Sequence, residues 1–195
     1  MLDVSQSDRA QETIRDLLFV LGMDLQNEHF SDTPRRVIQM YQEFIKPCDL
    51  VEILKDGFDA QQRTQTGAMV VQVDIPFKGL CPHHLLPFFG TCDIAYIPDR
   101  VWVGLSKLTR VAQSAGTMAP LTQEEITNSI VDALDTGLQP LGVMVITSAK
   151  HMCMATRGVN TPNTVTRVSA LRGVFMDKPE ARQEALALMK STGGR

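Results

Sequence analysis

The chain has 195 residues, 44% of them hydrophobic, and a formal net charge of −3. That is enough apolar mass for one sizeable core, and the mildly acidic balance argues against a nucleic-acid partner. No uncharged apolar run is long enough to span a membrane. The polar start MLDVSQSDRAQETIRD reads as neither a signal nor a transit peptide, so a cytoplasmic location is expected.

Ala10, Ile14, Leu17, Leu18 and Leu21 recur at helical spacing and predict a helix over 7–23. SDTPRRVIQMYQEFI predicts a second. Asp32 or Thr33 caps it, Pro34 suits its first turn, and Val37, Met40, Tyr41 and Phe44 line one face. Residues 48–66 are weakly periodic and read as irregular. AMVVQVDIPF then predicts a strand with Val71, Val73 and Ile75 on one side; TCDIAYIP alternates, and RVWVGL adds a short extended piece. SKLTRVAQSA predicts a helix. Thr122 and Glu125 form a capping box for TQEEITNSIVDALDTGL, with Ile126, Ile130 and Leu134 facing inward. GVMVITSA and TVTRVSALRGVF predict strands, and Pro179 opens a last helix ending near Lys190.

This order implies an α+β fold: two hairpins form a four-stranded antiparallel sheet, and the two helices between them cover one face. Residues 1–60 read as an N-terminal helical region and 61–195 as a single catalytic unit. The sheet's open edges favour self-association.

The cysteines are Cys48, Cys81, Cys92 and Cys153, and three of the four histidines lie within two residues of one. Without an export signal the thiols stay reduced, and a metal or catalytic role outranks a disulfide. In GLCPHHLLPFFG, Cys81 and His84 have the C-x-x-H spacing that brings a thiolate and an imidazole onto one ion. Cys153, at the end of the strand GVMVITSAKHMCM, is the candidate third ligand. Three protein ligands leave a coordination position open, as catalytic zinc requires; a closed four-ligand site that includes His83 or His151 is the competing reading. His151 lies two residues before Cys153, and on a strand it would share that residue's face. His83 and His151 suit proton transfer near neutral pH, or else hydrogen-bonding support of the ligands. Lys107 and Arg110 lie three apart on a helix, Ser106 sits at that helix's start, and Arg157 follows Cys153 by four residues. Together they imply an anionic substrate such as a polyphosphate, against the alternative of solvated surface charge. Gln123 and Glu124 open a helix. A carboxylate there either complements the helix dipole or accepts hydrogen bonds from a guanine.

DTPRRVIQMY, CPHHLLPFFG followed by IAYIP, GLSKLTR, HMCMATRGV and VSALRGVF resemble the GTP cyclohydrolase I family, the zinc enzymes of pterin and folate synthesis, from about Ser31 to Phe175. The resemblance implies the tunnelling fold, assembled by sheet edges into a ring, commonly a decamer, with active sites between subunits. It implies Zn2+ held by Cys81, His84 and Cys153, with His83 and His151 as the acid–base pair. It further implies contacts to the triphosphate from Lys107, Arg110 and Arg157, a ribose contact near Ser106, and guanine recognition by Gln123 and Glu124. The implied reaction opens the imidazole ring of GTP at C8, releases formate and closes to 7,8-dihydroneopterin triphosphate. Two alternatives stand beside it: a same-fold GTP-processing enzyme for 7-deazapurine synthesis, and a non-catalytic zinc-containing nucleotide-binding scaffold. The chain departs from the family's pattern in three places. Pro82 and Ser148 replace family glutamates, and Gly116 and Pro120 interrupt a continuous family helix.

Overall fold

The computed structural model describes residues 4–55, 58–59 and 68–190. The chain divides into two compact units, Met1–Lys46 and Pro47–Arg195. The first holds α1 (Val4–Val20) and α2 (Thr33–Phe44). Helix α1 stops where Gly22 takes φ 81°, with Met23 N donating to Leu18 O at 3.0 Å and Gly22 N to Phe19 O at 2.9 Å. Ala10, Ile14 and Leu18 are half-buried as the spacing predicts, but Leu17 and Leu21 stay exposed. The run Leu17–Leu21 is apolar all round, and one helix cannot turn every side inward. Asp32 occupies the cap position of α2 without capping it. Its carboxylate instead accepts from Arg35 Nε at 2.8 Å and Arg36 Nε at 3.1 Å, and Arg35 and Arg36 hold its pKa down to about 2. Charge-assisted bonds to guanidinium outcompete a neutral backbone donor.

The second unit runs α3 (Leu50–Ile53), β1 (Phe58–Asp59), β2 (Val70–Leu80), β3 (Pro87–Ile97), β4 (Val101–Trp102), α4 (Leu105–Ala115), α5 (Gln123–Leu138), β5 (Gly142–His151), α6 (Met152–Ala155), β6 (Thr166–Gly173), α7 (Val174–Asp177) and α8 (Pro179–Lys190). Helix α3 falls in the stretch expected to be irregular. Asp49 caps it by accepting from Val51 N and Glu52 N, and four residues are too few to leave a periodic signature. Phe58–Asp59 of the same stretch form β1, and its residues 56–57 and 60–66 lie outside the described residues. The last strand ends earlier than expected, at Gly173 with φ 59°, so Val174 and Phe175 enter α7. Among the described residues, no helix is long and apolar enough to cross a membrane.

Strands β2, β3, β5 and β6 form one antiparallel sheet in that order, and β1 pairs with β4. Side chains alternate between the two faces of a strand. Phe88, Cys92, Ile94, Val143, Val145 and Ala149 pack with Leu108, Ile126, Ile130 and Leu134 of α4 and α5, the two helices between the hairpins. On the other face Ala95 and Met144 meet Phe175, Ala185 and Met189 of α7 and α8. The thicker core is therefore the expected one-faced helical layer, and the C-terminal helices cover part of the second face.

Val71, Val73 and Ile75 do not share a face. The pairing steps from Gln72 opposite Ile94 to Ile75 opposite Cys92, so β2 carries one extra residue there. Asp74 sits in the bulge at φ 56°, its N donating to Asp93 Oδ1 at 2.8 Å. The insertion reverses the alternation: Val71 and Val73 pack toward α8's cluster and Ile75 toward that of α4 and α5.

Helix α4 lies along β2. Thr109 Oγ1 accepts from Gln72 Nε2 at 2.9 Å, and Gly116, just past the helix end, packs on the backbone of Lys78. A Cβ on Gly116 would come within 1.9 Å of Lys78 O. The interruption at Gly116 thus lets the chain leave α4 while touching the strand. Gly116→Ala should cost about 1–3 kcal/mol through forced displacement of packed backbone. Gly104→Ser, where a Cβ meets nothing within 4 Å and serine is a good N-cap, should be close to neutral. Denaturant unfolding checks both; equal stability of the Gly116→Ala protein would contradict the packing argument.

Candidate metal and acid–base site

The register that pairs Leu80 with Pro87 and Phe88 with His151 brings the β2–β3 loop and the end of β5 to the same end of the sheet. Within the loop, Cys81 N donates to Leu86 O and Leu85 N to Cys81 O, each at 2.9 Å, with Leu85 at φ 52°. Pro82 has no N–H, and this closed turn asks none of it. Cys81 points into the core at 6% exposure, while His83 and His84 are exposed. Strand β5 stops at His151, and the next turn of chain is α6, so Cys153 is a helical rather than a strand residue. The expected same-face relation between His151 and Cys153 therefore does not hold; they reach the region from different elements.

Three ligand atoms converge. Cys81 Sγ lies 3.9 Å from Cys153 Sγ and 3.9 Å from His84 Nδ1, and the ligand atoms of Cys81, His84 and Cys153 are all within 4.8 Å of one another. Tetrahedral zinc with metal–sulfur bonds of about 2.3 Å separates two sulfurs by roughly 3.8 Å, so the set fits such an ion. Among the described residues, no fourth His, Cys, Asp or Glu belongs to this group. His83 Nδ1 is 3.7 Å from Cys81 Sγ yet outside the group. The Cys153 thiol is pushed up, first by burial and then by the Cys81 sulfur beside it. A bound cation removes that penalty by favouring both thiolates.

His151 is half-buried. Its ring stacks on Phe88 with centroids 4.5 Å apart and planes 15° apart, and its Nε2 is 2.9 Å from Gln123 Oε1. Burial lowers its pKa, and the nearby charge of Glu124 partly opposes this. The α5 N-terminus supplies these neighbours. Thr122 Oγ1 accepts from Glu125 N at 3.2 Å and Thr122 N donates to Glu125 Oε2 at 2.8 Å, completing the predicted capping box. Those Thr122 bonds hold Glu125 low, with a further contribution from the charge of His83. Gln123 is 1% exposed, whereas the adjacent Glu124 faces solvent. Thr127 follows Gln123 by one helical turn, but Phe88 and Thr147, which complete the frame of His151 and Gln123, carry no signal in local spacing. The strand register is what brings Phe88 and Thr147 there.

The cationic residues divide. Arg157 lies just beyond α6, close enough for its charge to favour the Cys153 thiolate. Ser106 and Lys107 occupy the first turn of α4, with Arg110 exposed one turn on. Thr109 touches Gln72, and nine residues separate Gln72 from Cys81 along the strand. At 3.3 Å per residue this is roughly 30 Å, far beyond the reach of a lysine or arginine side chain. Within one chain, Ser106, Lys107 and Arg110 are thus not brought to the Cys–His cluster.

A family model described as GTP cyclohydrolase I matches residues 10–190. The chain is 41% identical over 183 residues to GTP cyclohydrolase 1 of Aquifex aeolicus, covering 94% of this chain and 96% of the relative. It is 40% identical over 187 residues to that of Streptococcus mutans, with 95% and 96% covered. With GTP cyclohydrolase 1 of Geobacillus kaustophilus it shares 42% over 179 residues, with 91% and 94% covered.

The thiols offer a direct check on this geometry. In protein stripped of metal, exposed Cys48 should alkylate first, and Cys92, fully buried with its pKa pushed up by burial, should stay unlabelled while the fold persists. A raised pKa keeps Cys153 as the unreactive thiol at neutral pH, so its labelling should accelerate as pH climbs past the ordinary thiol range. Peptide mass spectrometry after timed labelling reads each site; Cys92 labelling as fast as Cys48 would contradict the buried placement.

Proposed function

The chain belongs to the GTP cyclohydrolase I family, and on that premise we propose that it hydrolyses the guanine imidazole ring of GTP at C8, releases formate and yields 7,8-dihydroneopterin triphosphate. The observation that carries this reading is the convergence of Cys81, His84 and Cys153, with His83 Nδ1 3.7 Å from Cys81 Sγ and His151 two residues before Cys153. Zn2+ is the metal this donor set suits, and when bound it supplies a Lewis acid that makes water a nucleophile near neutral pH.

The chain's own residues do the rest. His83 and His151 move protons to the departing N7 and through the later ring opening. Exposed Glu124, close to His151, accepts from the guanine N1–H and exocyclic amine. Arg157 meets the triphosphate from the metal's side. Ser106 contacts the ribose end, and Lys107 and Arg110 bind phosphates. Their distance from the cluster along β2 supports a site completed by a second subunit. That in turn supports a ring built by pairing β2 and β6, the outermost strands of the sheet among the described residues. A cytoplasmic location accompanies this reading.

Incubation with GTP should release formate together with a pterin that fluoresces after oxidation. Formate without pterin would indicate a reaction that stops at the opened ring. Cys153→Ser should lose zinc and activity together, whereas His151→Ala should lose at least about 100-fold in turnover, at the lower end of general acid–base contributions, with zinc near one per chain. Loss of zinc in the His151→Ala protein would make His151 a ligand instead.

Subunit sharing has its own check. Lys107→Ala and His84→Ala proteins, each inactive alone, should recover a measurable fraction of activity when unfolded and reassembled together. No recovery in mixed assemblies of native size would place all the groups in one subunit.

A further inference from the structure

Gln123 opens α5 and is buried, with a side chain whose partners fix its orientation. Nε2 lies 3.1 Å from Thr147 O, 3.2 Å from Thr166 O and 3.0 Å from Thr147 Oγ1. Two of those partners are backbone carbonyls, which only accept, so the amide nitrogen belongs on that side and Oε1 on the side of His151. The hydroxyl directions follow in turn. Thr127 Oγ1 donates to Gln123 O at 2.7 Å, so across the 2.7 Å contact between the two threonines Thr147 is the donor. Thr147 Oγ1 is left free to accept from Gln123. The amide nitrogen has two hydrogens for three acceptors, so Thr147 Oγ1 shares one of them with a carbonyl; with that, the directions in this buried network are consistent.

The geometry points to Gln123 as a positioning residue for His151: its Oε1 accepts from His151 Nε2–H, which fixes the tautomer and leaves Nδ1 as the atom that exchanges protons with the substrate. This rests on the reading of His151 as a proton carrier in GTP ring hydrolysis. The tautomer follows from the hydrogen-bond geometry alone, since the Oε1 that faces His151 Nε2 can only accept. Phe88, stacked 4.5 Å away on the ring face, holds the imidazole plane. Gln123 at 1% exposure, with both ends of its amide engaged, then acts on the reaction through His151 rather than by touching the base; base recognition rests on Glu124.

Gln123→Met keeps the length and removes both ends of the amide. In zinc-loaded protein, kcat for formate release should fall about 10–100-fold, the range for losing a hydrogen-bonding partner behind a functional histidine. KM for GTP should stay within about twofold, and zinc should remain near one per chain. A raised KM with kcat preserved would overturn the inference in favour of a base contact, and an unchanged kcat would overturn it outright. Neutron diffraction of the deuterated, zinc-loaded wild-type protein at alkaline pH gives a reading that no folding defect can obscure. A single deuteron on His151 Nε2 facing Gln123 is expected, and one on Nδ1 with Nε2 bare contradicts the assignment. Absence of formate from the wild-type protein would fell the ring-hydrolysis reading and leave the neutron result to judge the tautomer.

Discussion

The pairing of Phe88 with His151 is the constraint on which the site depends. It sets the end of β5 against the start of β3. The β2–β3 loop, carrying Cys81, His83 and His84, and α6, carrying Cys153, therefore emerge at the same end of the sheet. Residues 72 apart in sequence end with their sulfurs 3.9 Å apart. A one-residue slip would turn His151 to the opposite face and detach it from Gln123 and Phe88. The register is protected by the core beneath it, where Cys92, Ile94, Val143 and Val145 are buried against α4 and α5.

The departures from the family's pattern fall where the fold accommodates them. Pro82 stands in a turn closed by Cys81 and Leu86. Ser148 points to the face of β5 opposite His151, three residues away on an alternating strand. Gly116 ends α4 against Lys78, and the chain re-enters a helix through an intact Thr122–Glu125 box. That box delivers Gln123 inward and Glu124 outward, so the interrupted segment does not displace the groups that surround His151.

Much of this was legible in the sequence because its signals are local. The capping box, Pro179 at the start of α8, and Ile126, Ile130 and Leu134 on one side of α5 follow from spacing alone. The C-x-x-H pair and the distant cysteine were legible because few other chemistries use those residues together. Where the sequence misled, a non-local effect had won. The bulge at Asp74 reversed the faces of β2, and neighbouring guanidiniums took the Asp32 carboxylate from its cap. The strand ended at His151 where alternation ran on toward Cys153. The burial of Gln123 depends on Thr147 and Thr166, both more than twenty residues away, and no window of sequence contains them.

X-ray absorption at the zinc edge of the purified protein addresses the convergence of Cys81, His84 and Cys153 most directly. Two sulfur neighbours at about 2.3 Å, with the remaining neighbours nitrogen or oxygen at about 2.0–2.2 Å, are expected. One neighbour should change when GTP is added, since a position is open. A shell of four protein ligands indifferent to GTP, or protein that binds no zinc when folded, would contradict the account.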